Sequence, residues 1–115
     1  MSGGFPDLNR RLVLETLDRV PDDAGGFVES WRALGTLWAE VRAGTGRKTE
    51  EDLLTLSYVP YRITVRAAPP DDSRRPRPEQ RFREGSRVYR ILAVADAGIG
   101  GRFLECRARE EESSA

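Results

Sequence analysis

The stretch Tyr61-Arg62-Ile63-Thr64-Val65-Arg66, residues 61–66, decides the fold. Tyr61, Ile63 and Val65, continued by Ala67, fall on one side of an extended chain, and Arg62, Thr64 and Arg66 on the other. Alternation at period two with β-branched side chains marks a strand that buries one face. Pro60 precedes the run. Residues 69–80 follow it with four prolines and mixed charge, which reads as an extended surface loop.

Outward from this strand the alternation recurs. Leu37, Ala39 and Val41 alternate with Trp38, Glu40 and Arg42, and Leu104, Cys106 and Ala108 with Phe103, Glu105 and Arg107. Between 88 and 94, Tyr89 and Ile91 oppose Val88, Arg90 and Leu92. Both faces are apolar there, as in a central strand. Asp96 to Gly101 is a glycine-rich hairpin connection, Glu84-Gly85-Ser86 a turn after Arg81-Phe82-Arg83, and Pro21 to Gly26 a strong turn. Leu8 to Val20 fits helix or strand by itself, and its few β-branched residues lean to helix. In the company of so many strands it reads as the first strand. Thr49-Glu50-Glu51-Asp52 has capping-box spacing and predicts a short helix over 50–57, ended by Pro60.

These segments predict a mainly β chain: about five strands in meander order, or a small β-barrel of about five to six antiparallel strands with one short helical insert and long loops. The expected organisation is a flexible N-terminus over 1–7, one barrel domain over 8–109 with long loops at about 44–59 and 69–80, and a flexible acidic tail over 110–115.

Composition removes most chemistry. The chain has 115 residues, formal net charge zero and no histidine, so the commonest general base and metal ligand is missing. Cys106 is the only cysteine, which excludes an internal disulfide and a cysteine-based zinc site. Its place in an alternating apolar run predicts a buried thiol. Gly98 to Gly101 lies between strands, the wrong context for a dinucleotide fingerprint. Asp22-Asp23 and Asp71-Asp72 read as solvated turn residues. No apolar run approaches the roughly 20 residues needed to cross a bilayer. The N-terminal residues lack a basic and an apolar region, so synthesis in the cytoplasm is expected.

Two features stay open on the residues alone. Arg74, Arg75, Arg77, Arg81 and Arg83, with Arg87 beyond, form the one basic cluster. It suits DNA phosphates or an acidic partner surface, or else a solvated loop balanced by Asp71, Asp72, Glu79 and Glu84. Trp31 and Trp38 stand seven residues apart, on opposite faces of an unbroken strand. One reads as core. The other reads as core, as cover for a barrel end, or as part of a subunit contact, where tryptophan is enriched.

Four segments in order resemble the phage head-tail adaptor or head-closure (stopper) family. They are Leu8-Asn9-Arg10-Arg11-Leu12-Val13-Leu14-Glu15; Gly25-Gly26 with Trp31 and then Leu37-Trp38-Ala39-Glu40-Val41; Tyr61 to Arg66; and Gly85 with Tyr89-Arg90-Ile91, Val94 and Arg102 to Cys106. Gly25, Gly26, Trp31, Trp38, Tyr61, Arg66, Tyr89 and Ile91 are the structural residues of that pattern. Residues 69–80 depart from it, being longer than usual. The resemblance implies a small β-barrel whose copies form a ring, beneath the portal and its adaptor protein and above the tail terminator or tail tube. Packaged double-stranded DNA would pass through the lumen. It implies no catalytic site, cofactor, metal or membrane contact, and a final place in a virion or gene transfer agent particle. It also makes the loop with Arg47, Lys48, Glu50, Glu51 and Asp52 the candidate lumen or gating loop, and Arg74, Arg75, Arg77, Arg81 and Arg83 a candidate inter-subunit or DNA-facing cluster. The competing readings are a nucleic-acid-binding barrel of the OB or SH3-like kind, and a neighbouring connector part such as the adaptor or tail terminator. An enzyme is the third reading, and the missing histidine and activated nucleophile argue against it.

Overall fold

Every alternating segment forms a strand in the computed structural model, which describes residues 5–44 and 59–111. The strands are β1 (Arg10–Pro21), β2 (Phe27–Ala43), β3 (Pro60–Arg66), β4 (Arg81–Glu84), β5 (Arg87–Ala97) and β6 (Phe103–Glu111). All pairings are antiparallel, and the sheet closes on itself in the order β1-β2-β3-β6-β5-β4. The first strand is a strand and not a helix, because tertiary pairing overrides weak propensity. The expected helix over 50–57 lies outside the described residues. Within them the only helical piece is one 3-10 turn, Ile99–Gly101, inside the β5–β6 hairpin.

The order differs from a simple meander. β3 pairs with β6 and β4 pairs with β1, so residues 67–80 cross one end of the barrel between them. This crossover is more built than a surface loop. Asp72 N donates to Pro69 O and Arg75 N to Asp72 O, both at 3.0 Å, and Arg75 Nη1 donates to Ala68 O at 2.8 Å. Pro76 is fully buried. Composition alone shows the prolines but not the hydrogen bonds and burial that order the segment.

Inside the ring, Leu12 and Leu14 of β1, Ala39 of β2, Ile63 and Val65 of β3, Phe82 of β4, Tyr89 and Ile91 of β5, and Leu104, Cys106 and Ala108 of β6 form one core. Two bulges shift the phase of the pattern. The β1–β2 register skips Leu34, and the β5–β6 register skips Leu92, which turns outward and is half exposed. Burial pushes the Cys106 thiol up to about 12, so it behaves as a small apolar core group.

β1 and β2 outrun the barrel. β4 joins β1 only at Val13–Glu15, and β3 joins β2 only at Ala39–Ala43. From Thr16 to Pro21 and from Phe27 to Arg32, among the described residues, the two strands pair with each other alone. At about 3.3 Å per residue, the 17 residues of β2 are long enough to reach nearly the molecule's longest dimension, 57 Å. The result is a barrel with a projecting two-stranded arm.

Phe82 carries the packing of the shortest strand. Phe82→Ala is expected to cost about 3–5 kcal/mol in urea denaturation, whereas the exposed Leu92→Ala should cost less than about 0.5 kcal/mol. Equal losses for both would refute this placement of the core.

Candidate functional site

The root of the arm is held by a buried carboxylate. Glu15 follows Leu14 on β1 and so faces outward, yet only 5% of it is exposed. Its pairing with β4 sets Arg81 opposite and Arg83 diagonal, and their Nε atoms donate to Glu15 Oε1 and Oε2 at 2.7 and 2.9 Å. Trp31 of β2, opposite Leu17, covers the pair. The Arg81 guanidinium lies 4.1 Å and the Arg90 guanidinium 5.3 Å from its ring centroid. Arg90 reaches Glu79 at 3.1 Å and Glu111 at 3.7 Å. Burial acts to raise the Glu15 carboxyl, but hydrogen bonds from Arg83 and Arg81 outweigh it and hold the group below the ordinary carboxylate range.

The arm tip is shaped by its turn. Asp22 Oδ1 accepts from Ala24 N and Gly26 N, both at 2.9 Å, and Asp22 N donates to Gly26 O at 3.0 Å. Gly25 has φ +88°, which L side chains rarely adopt, and a Cβ on Gly26 would lie 3.1 Å from the Asp22 carboxylate. The double glycine is therefore the chemistry of this turn. Val20, Phe27 and Val28 beside it are 51%, 61% and 54% exposed. Ion pairs Arg32–Asp18 at 2.7 Å and Arg19–Glu29 at 3.7 Å cross the arm.

The opposite end of the barrel is polar. Tyr61 and Tyr89 meet edge to face at 5.0 Å, and Tyr61 Oη donates to Glu110 at 3.1 Å. Arg87 Nε donates to Glu110 at 2.9 Å and Arg10 Nε to Glu84 at 3.0 Å. These contacts hold both carboxyls below their ordinary values.

The expected basic cluster is not one patch. Arg81 and Arg83 clamp Glu15, and Arg87 lies at the polar end. Arg75 and Arg77 donate to the carbonyls of Ala68 and Pro70 within the crossover. Arg74 lies over Gly35 and beside Asp72. Arg47, Lys48, Glu50, Glu51 and Asp52 lie outside the described residues. Tyr61, Tyr89 and Ile91 build the interior and its polar end, while Arg66 stands exposed at the end of β3. The bulge at Leu34 moves Trp31 and Trp38 onto the same outer face, where Trp38 is 54% exposed beneath Arg11. Neither is in the core. Sequence reasoning passed over Glu15 and the length of the arm. The one signal was a carboxylate adjoining an apolar alternation.

With this geometry established, known proteins add three likenesses. The phage head completion protein family model matches residues 4–111. A chain in the virion of a native gene transfer agent particle is 55% identical, with 96% of this chain and 100% of that chain covered and a TM-score of 0.79. Protein SF1141 from Shigella flexneri 2a, a solution structure, has the same fold at 23% identity, covering 99% of this chain and 100% of that one, with a TM-score of 0.67. Comparison with curated proteins gives no match.

Glu15→Gln keeps the shape and removes the charge. It is expected to cost about 1–3 kcal/mol at pH 7. Because the folded-state value is lowered, this contribution is present above the ordinary value near 4.5 and is lost as pH falls through the folded one. The stability gap between the two proteins, read by urea denaturation across pH, should therefore close on acidification. A gap constant from pH 7 to pH 3 would contradict the ion clamp.

Proposed function

The chain belongs to the phage head completion protein family, and from that premise we propose that it is the stopper, or head-closure ring component, of a tailed phage or gene transfer agent particle. The observation that carries this reading is the end-to-end likeness to a chain of a gene transfer agent virion, 55% identical over 96% of this chain. In this role copies stand side by side in a ring below the portal-proximal adaptor, extend the DNA channel, and give the tail terminator or tail tube a docking surface. Such a part has no reaction to catalyse.

The physical features support the role. A closed barrel leaves no free sheet edge in its body and makes a stiff frame. The two barrel ends differ, with the arm and crossover at one and the Tyr61–Glu110–Arg87 network at the other. A ring wall needs two unlike ends if different partners are to stack on it. Ring contacts between identical copies are heterologous, and zero net charge with dense charges of both signs allows opposite charges to meet across each contact. The nucleic-acid-binding reading is weaker. Arg81, Arg83 and Arg87 are engaged with carboxylates and Arg75 and Arg77 with carbonyls, which leaves little of the cluster to hold phosphates.

Particles produced without the chain are expected to be filled or emptied heads without tails, with packaged DNA open to nuclease. Electron microscopy and nuclease-protection assays read both. Tailed particles that keep their DNA would remove the proposal.

A further inference from the structure

The arm tip and a pocket on the same chain form a matched pair that one molecule cannot bring together. The pocket, of about 320 Å³, lies where the crossover leaves β3, walled by Leu37, Trp38, Ala67, Ala68, Pro69 and the stem of Arg74. Gly35 makes room for that stem, whose Cγ and Cδ would lie 3.1 Å from a Cβ there. Trp38 at its rim is 54% exposed, and Arg66, Arg74 and Asp72 also line it, two positive charges against one negative. Arg66 has no ion pair among the described residues, and the partner of Arg74, Asp72, is 3.8 Å away.

The tip carries the complementary set. Phe27 and Val28 are exposed apolar groups, and the turn beside them bears Asp22 and Asp23. Asp23 makes no ion pair among the described residues, and its φ of 68° is held by the Asp22 turn. Thr36 at the pocket lies nine positions along β2 from Phe27. At about 3.3 Å per residue that is roughly 30 Å of straight strand, so the tip cannot fold back into its own pocket.

We propose that the occupant is the tip of a second copy of this chain: Phe27 enters the pocket against Trp38 and Ala68, and Asp22 and Asp23 face Arg66 and Arg74. A knob on one face and its hole on another make a heterologous contact, which repeats around a ring. This rests on the head-closure reading and assigns the surfaces that reading leaves unnamed. An aromatic knob in a tryptophan-walled pocket is also the usual chemistry of an interface hot spot.

The experiment pairs Phe27→Cys with Ala68→Cys. The native thiol is buried and silent. After mild oxidation of purified particles, the double variant should give a non-reducing ladder in steps of 12.9 kDa, and neither single variant should. Phe27→Asp, at an exposed site, should keep the wild-type melting temperature yet yield about ten-fold or more fewer tailed particles. Normal tailed particles that contain the double variant but show only the monomer band would overturn the contact and leave the head-closure reading standing. Tailed particles that lack the chain altogether would overturn that reading instead. In that case the ladder, or its absence, from the concentrated free double variant still decides the contact.

Discussion

Closure of the barrel hangs on its shortest ladder. β1 pairs with β2 along its whole length, but with β4 over only three positions, Val13–Glu15 against Arg81–Arg83. Three residue pairs offer few backbone hydrogen bonds, each with a modest net contribution of about 0.5–1.5 kcal/mol. The joint holds because both faces of those pairs are used. Inside, Leu14 lies opposite Phe82 and both are fully buried. Outside, Glu15 receives one guanidinium from each flanking position of β4, and the Trp31 ring lies against that of Arg81. A carboxylate so shielded is costly when left unpaired, so the joint depends on both arginines staying in place.

How much of this was legible depends on whether the cause is local. The strands around Ile63, Leu104 and Ala39 were readable, since alternation is a local property and each buries one face. The turn at Gly25-Gly26 was readable for the same reason. Strand order was not. Nothing between Ala67 and Gln80 announces that the chain skips β6 and β5 to reach β1, and the backbone bonds of Glu79 and Gln80 with Ile91 that tie down its end are contacts across the fold. The tryptophans show the limit most clearly. Parity along an unbroken strand puts Trp31 and Trp38 on opposite faces, and a single bulged residue, Leu34, reverses the outcome.

The arginines carry a related lesson. Closeness in sequence suggested one basic patch, but alternation and strand pairing scatter its members over both barrel ends and the outer wall. Arg81 and Arg90 even stand directly opposite each other on β4 and β5. That like-charge pairing is tolerated because the Trp31 ring lies against both guanidinium groups and Glu15, Glu79 and Glu111 surround them. Planar, always-charged guanidinium groups can make such layered contacts, and a lysine ammonium cannot. A surface built from them is neutral in sum and specific in detail.

The arm is where stability and assembly meet. A lone two-stranded hairpin is marginal in water, and beyond Trp31 this one has no other strand beside it among the described residues. Its cross-strand ion pairs are exposed and contribute little. A free copy therefore holds a stiff barrel and a weakly held tip that exposes Val20, Phe27 and Val28. Any partner that binds only the ordered tip adds its binding free energy to the arm's stability. That gain exists only on contact, whereas the barrel is held by its own core.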